Sequence, residues 1–165
     1  MEKLISISLI SILISSCGVY SFTGASIPTD AKTVSVAYFT STATNSPSSL
    51  NQKITEGLKD LFVSQTNLYL TNNQADLSFT GEITKYQINP IAIQADETAG
   101  KNRLTIAIKV KYNNKFNDTQ NFESTFSRYR DFSSSENLAD IESILIDEIS
   151  KELFEDVFNK AFVNW

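Results

Sequence analysis

One segment narrows the possible folds more than any other. In Leu104-Thr105-Ile106-Ala107-Ile108-Lys109-Val110-Lys111-Tyr112 the apolar and the polar or small residues alternate without a break. Successive side chains of a strand point to opposite faces. Leu104, Ile106, Ile108, Val110 and Tyr112 therefore share one face, and Arg103, Thr105, Ala107, Lys109 and Lys111 share the other. A strand with one wholly apolar face needs a second layer to cover it.

Two segments have the period of such a covering layer. Leu50, Ile54, Leu58, Leu61 and Phe62 recur at steps of four or three, behind an expected S-x-x-Q capping box at Ser49 and Gln52. Gly57 inside this helix costs about 1 kcal/mol against alanine, so it marks a close approach. From about Glu136 onward, Leu138, Ile141, Leu145, Ile149, Leu153 and Val157 form a second stripe, extended by Phe158 and Phe162. The carboxylates on its other sides read as a solvated helix face, with an acid-base or metal cluster as the competing reading.

Three further strands are expected. Thr33–Phe39 alternates, and so does Asp76–Thr84, with Leu77, Phe79, Gly81 and Ile83 on one side. Phe122 and Phe126 set the inner face of the last strand, whose alternation fails around Arg128-Tyr129-Arg130 in the manner of a bulge. Asn67–Leu70 can form a short strand, and Tyr86 to Gly100, with Pro90 and an Asp-Glu-Thr-Ala-Gly turn signal, reads as a long connection. The expectation is an α+β fold: a two-layer sandwich of two helices packed on one face of a mainly antiparallel four-stranded sheet, in the order β-α-β-β-β-α.

The N-terminus restricts location. Lys3 precedes an apolar run, Leu4–Ile14, interrupted only by serines and shorter than the roughly 20 residues of a membrane-spanning helix. It ends in Ile14-Ser15-Ser16-Cys17-Gly18, the pattern of a lipobox, whose thiol takes a diacylglyceryl group. Residues 1–16 thus read as a lipoprotein signal peptide, 17–31 as a lipidated N-terminal arm and 32–165 as one domain, with Cys17 the lipidation site. Acyl chains contribute roughly 0.8 kcal/mol per buried methylene, so the mature chain needs no membrane helix. The competing readings are a plain secretory signal or a buried N-terminal helix. No aspartate follows Cys17 at the second position and no acidic run follows it, which points to the periplasmic leaflet of the outer membrane.

Composition excludes several chemistries. Removing 16 residues from 165 leaves 149, enough for a single core, and the net charge of −5 is ill suited to general nucleic-acid binding. The chain has no histidine, one cysteine and five dispersed glycines. It therefore lacks a Ser-His-Asp or Cys-His triad, a histidine-ligated metal and a phosphate-cradling loop. No catalytic residue, metal or cofactor is expected, and a binding or structural role is the better default. Arg103, Lys109 and Lys111 on the uncovered strand face are candidates for an anionic partner, against the plainer reading of a wet face whose lysines discourage edge pairing. Tyr20 and Phe22, near the lipid and outside the expected core, are interface candidates.

Certain segments carry a family resemblance in their order and spacing. They are Cys17–Phe22 running into Ile27-Pro28, Val34–Phe39, Leu50–Gln65, Ala75–Ile83, Asn102–Ile106, Phe126–Tyr129 and Ile149–Trp165. Together these resemble the lipopolysaccharide-assembly lipoprotein family LptE over essentially all of the mature chain. The resemblance implies two helices on a four-stranded sheet. It also implies a plug-like subunit inside the outer-membrane β-barrel LptD that supports insertion of lipopolysaccharide into the outer leaflet. Contact with lipopolysaccharide is implied through basic residues near a strand–loop junction. The candidates here, chosen on charge and face rather than by a matched motif, are Lys101, Arg103, Lys109 and Lys111. The alternative is a free-standing periplasmic lipoprotein that binds a soluble ligand or polysaccharide, or acts as a weak carboxylate hydrolase.

Overall fold

A computed structural model describes residues 27–91 and 100–163. The signal segment, Cys17, Tyr20 and Phe22 lie outside the described residues. Eight elements follow in order: β1 (Thr33–Val36), β2 (Thr40–Ser41), α1 (Ser48–Gln65), β3 (Tyr69–Leu70), β4 (Leu77–Ile91), β5 (Lys101–Asn114), β6 (Phe122–Ser133) and α2 (Leu138–Phe162). A short 3-10 turn, Asp118–Gln120, lies between β5 and β6.

The sheet corrects the expected fold class. It is mixed and six-stranded, in the order β3-β1-β4-β5-β6 with β2 also paired to β4, rather than four-stranded and mainly antiparallel. The element order is β-β-α-β-β-β-β-α, not β-α-β-β-β-α. The reason is the connection: a helix between β1 and β4 returns the chain to the end from which β1 started, so β4 runs parallel to β1. Only β4, β5 and β6 form an antiparallel meander. β1 and β2 pair with the same edge of β4 and are separated by Ala37–Phe39. In that break Phe39 turns inward and is fully buried, while Tyr38 points out.

The expected connection Tyr86–Gly100 is also corrected, because β4 continues to Ile91 opposite Lys101. Its register shifts between Ile83 and Lys85, and this irregularity exchanges the two faces. Before it the inward residues are Leu77, Phe79 and Ile83; after it, Tyr86 is the buried one. Pro90, which has no N–H to give, sits where β4 has become an edge. No such shift interrupts β6. Arg128 and Arg130 stand opposite Ile106 and Leu104 on the helix side of the sheet.

Both helices cover the same sheet face, and a single apolar cluster joins them to β1, β4 and β5. Rings pack at its centre: Phe62 lies 4.4 Å from Phe79, which lies 4.7 Å from Tyr112, and Phe162 meets all three. α1 begins at Ser48 after Pro47, without a side-chain cap, so the expected Ser49–Gln52 box does not form. α2 is capped by Asn137, whose Oδ1 accepts the Ala139 N–H at 3.3 Å. Gly57 is the close approach its sequence position suggests, since a Cβ there would strike the Phe154 ring of α2. Gly81 leaves room for the Phe39 ring, and a Cβ would also lie 2.5 Å from the Lys109 carbonyl oxygen. Thr55, buried in α1, accepts the Phe39 N–H at 3.0 Å and donates to the Asn51 carbonyl at 2.7 Å. Asp76 ties the start of β4 to β1 by accepting the Lys32 and Thr33 amides and the Thr33 hydroxyl.

Candidate ligand-binding face

With both helices on one side, the other face of β4, β5 and β6 carries only side chains. Lys101, Arg103, Lys109 and Lys111 occupy alternate positions of β5 on that face. The structure therefore places all four on one face, but it does not gather them. Arg103 and Lys111 are eight residues apart, about 27 Å along an extended strand, and the face divides into two regions.

The first region surrounds Lys109. The β4 and β5 register puts Glu82 beside Lys109 and Thr80 beside Lys111, and Lys85 follows across from Ala107. From β6, Glu123 faces Lys111, and its carboxylate pairs with the Lys109 ammonium. That hydrogen bond holds the Glu123 carboxyl below its ordinary range and raises the Lys109 ammonium. Thr80, Glu82, Lys109, Lys111 and Glu123, with Thr40 and Gly81, line an open depression of about 300 Å³; Lys85 stands outside it. Lys85 and Lys111 are exposed, and among the described residues neither is in a salt bridge.

The second region is centred on Arg103. Its guanidinium forms two hydrogen bonds to Asp131, at 2.7 and 2.9 Å, and lies over the Tyr129 ring at 3.7 Å from the centroid. The arginine holds the Asp131 carboxyl below its ordinary range. Lys101 stands beyond, opposite Ser133. Across β4, Gln87 and Asn89 face Thr105 and Arg103.

Sequence reasoning identified the face and missed much of what occupies it. Lys85 escaped because the strand seemed to end at Thr84. Glu82, Glu123, Asp131 and Tyr129 escaped because a neighbour across strands depends on register, which no local pattern encodes. The cations of β6 serve a different purpose. Arg128 is forked onto Asp156 at 2.7 and 2.6 Å, while Arg130 reaches Glu148 at 2.8 Å and Glu152 at 2.6 Å. Three carboxylates of α2 thus brace the helix to the sheet, which the reading of α2 as a wholly solvated acidic face did not anticipate.

Chemically the face offers charge-assisted hydrogen bonds, flat stacking surface and amide groups. Among the described residues no group of three or more acidic or cysteine side chains could hold a metal ion. None of the described helices is long and apolar enough to cross a membrane.

The sequence matches the model of the LptE family, described as lipopolysaccharide-assembly, over residues 31–161. No curated protein matches it. Among solved structures it is similar to a neuraminyllactose-binding hemagglutinin homolog from Helicobacter pylori, with TM-score 0.52 and 8% identity over 86% of this chain and 88% of that one. It is also similar to a protein from Xanthomonas campestris, with TM-score 0.51 and 7% identity over 81% and 87% of the two chains. At such identities these structures show a shared fold alone.

Proposed function

The chain belongs to the LptE lipopolysaccharide-assembly family, and we propose that the open sheet face is where it meets the anionic groups of its partners. As a member of that family it is a lipid-anchored lipoprotein on the periplasmic leaflet of the outer membrane. It partners the LptD barrel and lipopolysaccharide, and it is not an enzyme. In this reading residues 1–16 are the export signal, Cys17 carries the lipid, and 17–31 form the arm, with Tyr20 and Phe22 available to the barrel. Ile27 and Ala31 pack against the core, which supports a short tether between lipid and domain.

The observation that carries the proposal is the cluster of Lys85, Lys109 and Lys111 on a sheet face that no helix covers. An ammonium that meets a phosphate or carboxylate away from water contributes about 1.5–3 kcal/mol, and a solvated one contributes almost nothing. Arg103 is committed to Asp131 and Lys109 to Glu123, whereas Lys85 and Lys111 are in no salt bridge among the described residues, so the lysine cluster is the stronger part of the face. The test replaces Lys85, Lys109 and Lys111 by glutamine and measures binding to lipopolysaccharide and to the isolated barrel at low and moderate salt. Loss of either interaction at an unchanged melting temperature is expected. Glu123→Gln, which frees Lys109, should strengthen the same interaction. Unchanged binding in both variants would make these lysines a solvated strand face.

A further inference from the structure

The Arg103 region has a different character from the lysine cluster, and its groups match a different chemistry. Three strands contribute two adjacent rows: Gln87, Thr105 and Tyr129, then Asn89, Arg103 and Asp131. Directly opposed residues on neighbouring strands stand about 5 Å apart, so the six side chains form one continuous patch. Its formal charge cancels, because Arg103 and Asp131 neutralise each other and the other four are uncharged. Tyr129 is half exposed, and one of its faces is already occupied by the guanidinium. Gln87 Nε2 donates to Asn89 Oδ1 at 3.1 Å, which orients both amides.

We propose that this patch is a saccharide subsite, which takes an uncharged pyranose ring of a glycan against Tyr129, Arg103 and the two amides. The proposal rests on the lipopolysaccharide reading of the same face and extends it from the anionic groups to the sugar. A pyranose presents an apolar C–H face and a rim of vicinal hydroxyls. Tyr129 supplies the flat apolar body with a polar tip. Asp131 supplies acceptors, Arg103 donors, and Gln87 and Asn89 one of each, around that ring. A phosphate would find no net positive charge in a patch where Asp131 already neutralises Arg103, and an apolar chain would strand the amides, so the neutral sugar fits the patch best. The fork to Asp131 and the stack on Tyr129 hold the arginine in place, so little side-chain freedom is lost on binding. About six residues, or 20 Å of strand, separate Arg103 from Lys109. One phosphorylated glycolipid can therefore reach both regions with different parts of itself.

The experiment uses the full chain purified in detergent and three probes: the glycan released from lipopolysaccharide by mild acid, the phosphorylated lipid portion left behind, and maltohexaose. Binding is followed by calorimetry and by tyrosine fluorescence for the wild type, Tyr129→Ala and Tyr129→Phe. The released glycan should bind the wild type. Tyr129→Ala should weaken it about fivefold, the scale of one lost ring contact, and Tyr129→Phe should retain it. Binding of the lipid portion should be equal in all three. Equal maltohexaose binding would support a general saccharide subsite, and its absence one selective for the lipopolysaccharide glycan. No detectable glycan binding at millimolar concentration, or glycan binding indifferent to Tyr129→Ala, would overturn the proposal. The wider reading fails separately: unchanged binding of the lipid portion after replacing the lysine cluster would overturn that reading and leave the Tyr129 comparison intact.

Discussion

Thr55→Val is the most direct probe of how β1 and β2 are held in place. The side chains have nearly the same shape, so the substitution removes a hydroxyl without opening a cavity. Thr55 is 1% exposed, and its Oγ1 accepts the Phe39 amide at 3.0 Å. Phe39 lies in the break between β1 and β2, and the Thr55 hydroxyl takes up its amide there. The Asn51 carbonyl, which also receives the Thr55 hydroxyl, is a helical acceptor and loses less. Leaving one buried amide without a partner costs about 1–3 kcal/mol, and the added methyl group recovers a fraction. A net loss of about 1–2 kcal/mol is expected, which lowers the melting temperature by roughly 2–8 °C for a domain of this size. Urea titrations followed by circular dichroism should show an earlier midpoint at unchanged slope, since the surface exposed on unfolding is the same. Thr55→Ser keeps the hydroxyl and should lose no more than about 1 kcal/mol, the scale of one buried methyl group. Hydrogen exchange at the Phe39 amide should accelerate in Thr55→Val and not in Thr55→Ser. Equal stability of Thr55→Val and wild type would refute the argument that this helix hydroxyl completes the sheet.

Gly81→Ala should destabilise by more than Gly57→Ala, measured by the same titration. At Gly81 the added carbon meets the backbone carbonyl of Lys109, which cannot move without its strand, whereas at Gly57 it meets a ring that can shift. For pH dependence, Asp76 has its carboxyl lowered, chiefly by the Lys32 backbone N–H and then by the Thr33 hydroxyl. A lowered acid stabilises above its unfolded pKa of 3.8, and that contribution fades as pH falls through the folded value. The melting-temperature gap between wild type and Asp76→Asn should accordingly be widest near neutrality and close below pH of about 3.8. Cys17→Ala should leave unprocessed precursor on a gel and abolish acyl labelling. Normal processing of that variant would refute the assignment of Cys17.

The apolar alternation of β5 and the stripes of both helices were legible because each is a long run with a single period. What escaped did so for physical reasons. At the β4 irregularity, Thr84 and Lys85 break the alternation, so a strand that reaches Ile91 seemed to stop halfway. β3 has two residues, both exposed; a short strand at Asn67–Leu70 was legible, but its parallel pairing with β1 at the sheet edge was not. The parallel pairing of β1 with β4 is a property of the connection, not of either strand's composition. In β6, Arg128 and Arg130 stand where apolar residues were expected and satisfy the helix side by ion pairing. Their positions looked like a loss of register, although the register is continuous. On the candidate face the β5 cations were visible and their carboxylate partners were not, because Lys109 meets Glu123 and Arg103 meets Asp131 only through pairing with β6.

The net charge of −5 at first argues against an anion-binding role, and the layering of the fold reconciles the two. α2 carries seven carboxylates, Asp140, Glu142, Asp147, Glu148, Glu152, Glu155 and Asp156, against Lys151 and Lys160. The open sheet face carries Lys85, Lys101, Arg103, Lys109 and Lys111 against Glu82, Glu123 and Asp131. The excess negative charge thus lies on the helix side and the excess positive charge on the other, separated by an apolar layer. Screening over about 8 Å at physiological salt keeps a charge on one side from cancelling a contact on the other. The pleat of β6 helps to maintain that division. Arg128 and Arg130 point to the helices, while Tyr129 and Asp131 point to the open face. A shift of one residue in its pairing would move the two arginines to the open side and strip α2 of its braces. The register that buries the core therefore also decides which side of the molecule an anionic partner meets.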